Sequence, residues 1–462
     1  MPSDQESEDS AAEDPPSARR RRPDGRPSGR RQGVSRALLW KYDPSHPIEA
    51  LPTPRQAQGM RMFWWDGFFA WGSESVVAQY LPLYALAFGA SAAQIGFLSA
   101  LVSLAGAVAF FPGARLTEAW GHRKLIVVLT AGLGARPMLL ALALLPFFLE
   151  GRQVIYVMVG LASVRSFMIG AAIPAWTSLT ADLVPTAVRG RFLASRNMGM
   201  GISALMAAPL AGGIIVWAGF PRGWEIAWLL AFVLGQISTV AYARIPEPEP
   251  APTAAAGSAG LGRGLLADTN FLFFCGTTLL WNLSLYEAAP FFNVHLVQNL
   301  GGSAVWVGIL AAVMGVLGLA GQWYFGPLVD RRGSKWVMAV AGLGIPFLPW
   351  AWVLVQAPWQ VIFINAAGGF LWAGYNLAAL NLLLVVSPDE KRPTYTAAYQ
   401  STVYFSAFLG PLTGGFLAEA YGYRFLFGLS GVGRMLGTLL FIRWVREVRP
   451  GLSARPAPAE QP

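Results

Sequence analysis

Glu74 stands in the middle of a long apolar run, with Asp66 eight residues before it. Eight residues is a little over two helical turns, so the two carboxyls fall on roughly one helix face. Arg165 sits at a comparable depth in a later apolar run. An ionised side chain at mid-bilayer costs about 2.5–3.5 kcal/mol on insertion scales, so it needs a partner, a wet cavity or a task. The task open to these residues is proton uptake and release, because burial and a neighbouring guanidinium pull a carboxyl's protonation in opposite directions. We expect Glu74 to face Arg165, either as a protonatable pair or as a purely structural one. Asp66 is expected to pair with Arg196 at the start of the fifth apolar run.

A second group of candidates could line a substrate cavity. Trp71 and Trp372 are aromatic residues at mid-depth, suited to an apolar ligand. Glu287 is the main acidic candidate of the second half, and Asn282 occupies the repeat position of Glu74. Asn365, Tyr375 and Asn376 lie in one run. Asn365 and Asn376 are eleven residues apart and share a helix face. Their amides suit a polar substrate or a neighbouring helix equally well.

The elements that must hold these residues are membrane helices. The chain has 462 residues, of which 54% are hydrophobic and 13% charged, with a mean hydropathy of +0.45. Soluble domains carry roughly 25% charged residues, so composition alone places the chain in a bilayer. Runs long enough to cross about 30 Å of hydrocarbon fall at 62–86, 94–112, 125–149, 154–176, 192–218 and 225–243. Six more fall at 268–292, 305–325, 336–356, 359–382, 395–418 and 424–446. The reading is an all-α membrane protein with twelve transmembrane helices in two pseudo-symmetric six-helix bundles. Residues 62–243 form the first bundle, 244–266 a Pro/Ala/Gly-rich linker and 267–446 the second. Residues 1–61 are an Arg-rich tail and interfacial segment, and 447–462 a second tail.

The net charge of +9 does not point to nucleic acid, because Lys and Arg concentrate in the tails and on one set of loops. By the positive-inside rule that side is cytoplasmic, with both termini on it, in the plasma (inner) membrane. Cys275 can form no intrachain disulfide, and His46, His122 and His295 lack metal-ligand spacing, so neither a metal nor a cofactor is expected.

Between the eighth and ninth runs lies Gly326-Pro327-Leu328-Val329-Asp330-Arg331-Arg332-Gly333-Ser334-Lys335. It reads as a tight hairpin whose turn needs Gly333. Glu118, Gly121 and Arg123 repeat Asp330, Gly333 and Lys335 at an offset of 212 residues, which also carries Gly96 onto Gly308. Pro209, Gly212 and Gly213 recur as Pro411, Gly414 and Gly415. Repeats half a chain long mean two homologous halves.

These motifs resemble those of the major facilitator superfamily of secondary transporters, over residues 60–446. The hairpin is similar to that family's G-x-x-x-D-R-x-G-R-K loop, with Ser334 replacing the first basic residue; Ala114, Glu118 and Ala119 depart from it in the first half. Ala208-Pro209 with Gly212 and Gly213 is similar to its exporter signature, and Arg165 with Gly170 is a loose match to a motif linked to proton coupling. The resemblance implies alternating access of two halves around a mid-membrane site, with the loops at 114–124 and 326–335 latching one face. It also implies that the helices of Arg136 and Arg434 lie outside the central cavity, so both read as locally paired or snorkelling.

The expected function is proton-coupled export of a small amphipathic compound by a monomeric transporter, with the bilayer as its other partner. Import of a sugar, amino acid or carboxylate is the second reading, and a receptor or scaffold on the same fold a third. No nucleophile–base pair, metal cluster or phosphate loop suggests an enzyme.

Overall fold

The computed structural model describes residues 52–247, 267–387 and 392–447. The Arg-rich tail up to residue 51, most of the expected linker and residues 448–462 lie outside these. Thirteen helices carry the described chain. The first half holds α1 (Pro54–Ala87), α2 (Ala92–Trp120), α3 (Arg123–Phe148), α4 (Arg152–Leu183), α5 (Thr186–Ala218) and α6 (Arg222–Ala243). The second holds α7 (Thr269–Ala288), α8 (Phe291–Gln298), α9 (Ala304–Arg332), α10 (Ser334–Leu354), α11 (Pro358–Val386), α12 (Arg392–Tyr421) and α13 (Tyr423–Trp444). The α7–α8 pair makes one crossing, broken at Pro290, so the crossings number twelve as expected.

Nine of the described helices are long and apolar enough to cross a bilayer on composition alone. The exceptions are α1, α7, the eight-residue α8 and α12. Arg61, Asp66 and Glu74 interrupt α1, and Asn282 and Glu287 interrupt α7. Such polar content is tolerated where a helix turns towards protein or a wet cavity instead of lipid.

Several helices run further than their apolar cores. The expected hairpin at 326–335 is mostly helix, since α9 continues through Pro327 to Arg332 and α10 starts at Ser334. The turn contracts to Gly333, whose φ of +89° is open to glycine and costly for other residues. Gly121 makes the matching turn after α2, at φ +66°. Beyond the hydrocarbon water can satisfy a helix surface, so nothing forces the helix to end where its apolar run does.

These turns are fastened by carboxylates that sequence reasoning did not single out. Glu247 Oε1 accepts from the Lys124 N–H (3.2 Å) at the start of α3. Glu447 accepts from the Ser334 and Lys335 N–H groups (3.0 and 3.2 Å) at the start of α10. Each places a negative charge where the unpaired N–H groups of a helix start favour one.

The halves meet tightly at the end opposite the basic loops. Gly96 of α2 lies so close to α12 that a Cβ would strike the Pro411 carbonyl, and a Cβ on Gly308 of α9 would sit 2.6 Å from Pro209 Cα in α5. The repeated glycines thus pack on the repeated prolines across the seam. Tyr80 reinforces it from α1: its hydroxyl donates to the Ala208 carbonyl (2.7 Å), with the Ala304 carbonyl 3.1 Å away. Asn293 donates to Gln79 (3.0 Å), and Ser91 and the Ala93 N–H donate to Glu419 (2.9 and 3.0 Å). At the basic end Glu118 and Asp330 are exposed, and no ion pair among the described residues joins the halves there. Gly308→Val should therefore open the sealed end. In a Cys275→Ser background, a cysteine at Ala304 should react faster with an impermeant maleimide once Gly308→Val is added.

Candidate functional site

The first half is hollow. A cavity of about 860 Å³ lies between α1, α3, α4, α5 and α6, with Ala311 and Gly315 of α9 on its far wall. That volume lies within the usual range for a small-molecule site. Its walls are mostly apolar, with Trp71 and Trp176 among them, and the charged side chains on it are Asp66, Glu74, Arg136 and Arg196.

At the centre, one carboxylate oxygen serves two guanidiniums. Glu74 Oε1 accepts from Arg165 Nη2 of α4 at 2.5 Å and from Arg136 Nη1 of α3 at 2.8 Å. The Glu74 side chain is 30% exposed and both arginine side chains only 7%, so the carboxylate fronts the cavity and the cations back it. Neither arginine is saturated: Nε of both is buried without a partner.

The contact with Arg165 is the one their common depth suggested. Arg136 is a correction. It neither snorkels nor sits away from the cavity, but lies on the cavity wall and completes the triad. Two local features bring it there. The stretch Val128–Ala135 immediately before it is π-helical, a widened turn that resets which face follows. Gly235 of α6 leaves room for its stem, since a Cβ there would lie 2.5 Å from Arg136 Cδ. The π-helix leaves no mark in hydrophobic periodicity.

Towards the basic end a second cluster forms. Arg196 Nη2 donates to Asp66 Oδ2 at 3.3 Å, as expected. Ser238 of α6 donates to Asp66 Oδ1 at 2.7 Å, which sequence did not foresee. The guanidinium is clamped further by the Phe63 carbonyl (3.1 Å) and by the Phe63 ring, 4.2 Å from Cζ to centroid.

The second-half candidates do not reach this cavity. Asn282 is buried and donates to the Thr278 carbonyl one turn back (3.0 Å). Asn365 donates to the Leu310 carbonyl of α9 (3.2 Å), joining two helices, and Asn376 is exposed. Tyr375 stacks on Trp281 with centroids 4.2 Å apart, and Trp372 packs edge-on against both. Glu287 and Arg434 are buried in the same half, and Arg434 keeps Nε and Nη2 without partners. Arg434 therefore does not snorkel either. The reason for the difference is local: at the repeat offset that puts Asn282 on Glu74, Trp281 falls on Ser73. An indole stands where the first half has a buried hydroxymethyl that donates to the Ala231 carbonyl.

Comparison with known proteins settles the family. The profile of the Major Facilitator Superfamily matches residues 66–286 and 269–462. The chain belongs to that superfamily. It is accordingly a multi-pass secondary transporter of small molecules and not an enzyme. Among curated superfamily relatives, the multidrug resistance protein MdtG of Salmonella paratyphi C is 27% identical over 402 residues, covering 82% of this chain and 92% of that protein. MdtG of Dickeya zeae is 29% identical over 166 residues, covering 36% of this chain and 39% of that protein. Two solved superfamily structures share the fold at 15% identity. A bacterial homologue of the human lysosomal transporter Spinster, inward-facing and occupied, has a TM-score of 0.67 and covers 88% of this chain and 100% of its own. A D-xylose–proton symporter has a TM-score of 0.66 and covers 85% and 98%.

The shared oxygen has a stability consequence. Glu74→Gln leaves two buried guanidiniums facing each other, whereas Arg165→Gln leaves Glu74 still held by Arg136. Uncompensated buried charge costs several kcal/mol, and both arginine side chains are only 7% exposed. Melting in detergent should show Glu74→Gln as the less stable of the two variants.

Proposed function

We propose that this transporter exports a small amphipathic organic compound in exchange for protons, as a monomer in the plasma membrane with both termini cytoplasmic. One observation carries the reading: in a cavity with mostly apolar and aromatic walls, the Glu74 carboxylate is the more open of the two there, Asp66 being buried against Arg196 and Ser238. An apolar chamber holds an amphipathic compound through burial of its hydrocarbon, and Glu74 is the group there that can exchange a proton with it. Protonation of Glu74 removes the negative charge from the common acceptor of Arg136 and Arg165, so it loosens the contact between α1, α3 and α4. The names of the curated relatives, multidrug resistance proteins, point the same way. Import of a polar solute finds less support, because the amides that would recognise it are spent on helix carbonyls.

The basic residues that flank the helices support an orientation with the cavity opening to the cytoplasmic side and the sealed seam outside. Glu118, Gly121 and Arg123, with Gly326, Asp330, Arg331, Gly333 and Lys335, then latch the cytoplasmic end when the other opens. Pro209, Gly212 and Gly213, with Pro411, Gly414 and Gly415, form the surfaces on which the halves rock. In proteoliposomes carrying a pH gradient, the parent should move a panel of amphipathic compounds against their gradients, and Glu74→Gln should not. Proton flux equal in both for every compound moved would remove Glu74 from the coupling.

A further inference from the structure

The cavity carries more positive than negative charge in every state of protonation. Its wall and immediate backing hold three guanidiniums, Arg136, Arg165 and Arg196, against two carboxyls, Asp66 and Glu74. A guanidinium stays protonated in a protein. With both carboxyls ionised one positive charge is left over, and protonating either acid only enlarges the excess. The Asp66–Arg196 pair is balanced and further satisfied by Ser238, so the excess sits at Glu74. There two cations lean on one oxygen, and each keeps a buried Nε with no acceptor. A net charge inside low-dielectric walls sets the potential through the chamber beyond contact distance.

From this count we infer that the compound moved bears an anionic group, a carboxylate or an acid of similar charge, which docks at Arg136 and brings the cluster to neutrality. Arg136 is the guanidinium of the Glu74 triad on the cavity wall, and its hydrogen bonds to Ser73 and Glu74 all come from Nη1. The apolar body of the compound lies against Trp71 and Trp176. A cationic amphipath finds one carboxylate oxygen in front and two guanidiniums behind it, so it is disfavoured. The inference rests on the export reading only in taking this cavity as the substrate's place.

Matched probes test it: 4-phenylbutyrate, its primary amide and 4-phenylbutylamine, titrated against the purified full-length transporter in nanodiscs and read by tryptophan quenching. The carboxylate should bind best and the amine worst. Arg136→Gln should weaken the carboxylate by roughly thirtyfold or more while the amide stays within about twofold, the latter showing that the cavity is intact. Arg136→Lys should keep the carboxylate ahead of the amide, and Glu74→Gln should tighten the carboxylate further. An amine that binds best overturns the inference, as does an Arg136→Gln variant with an unchanged carboxylate-to-amide ratio. Binding needs no gradient, so a preserved carboxylate preference without gradient-driven transport would count against export alone.

Discussion

One oxygen atom ties three helices together. Glu74 Oε1 belongs to α1, and the donors that converge on it come from α3 and α4. Because both cations use the same acceptor, the geometry of three helices depends on the charge state of one side chain. A pair sharing no atom would lose its two bonds independently; this arrangement loses them together. The cluster lies beside the cavity, so whatever enters sits within reach of the atom that holds the walls in place.

The sealed end shows how such a local change spreads. Tyr80 is six residues beyond Glu74 in α1, and its hydroxyl reaches a carbonyl of α5 and approaches one of α9 in the opposite half. A shift of α1 is therefore felt at the seam. There, glycine-on-proline contacts allow backbone-to-backbone packing with few side chains to repack.

Much of this was legible in the sequence, but not all. Twelve crossings followed from apolar length, and the Gly333 turn followed from charge and glycine between two runs. Asp66 with Arg196 and Glu74 with Arg165 followed from depth, because a charge in hydrocarbon must find its counterpart. Arg136 was misplaced because its position was taken from the family resemblance, which sets its helix outside the cavity; here it follows the π-helical stretch Val128–Ala135 and lies on the cavity wall. Asn365 took the neighbouring-helix alternative, Asn282 bonds within its own helix and Tyr375 stacks on Trp281, because an amide or a ring serves a helix as well as a ligand, and only packing decides. Ser238 and Tyr80 gave no signal, being ordinary residues whose role is set by what lies opposite. The single clue available was Trp281 at the repeat position of Ser73, an exchange of the smallest polar side chain for the largest ring.

That exchange divides labour between the halves. With Trp281, Tyr375 and Trp372 stacked together the second bundle has little room to relax, so in the proposed alternating access it serves as the stiffer piece, a lever. The hollow half, with its rings at Phe63 and Tyr84 set apart from a charged centre, is the one with room to deform when its contents change. New cargo specificity can therefore arise by altering one half alone, while the lever that opens and shuts the passage is left as it was.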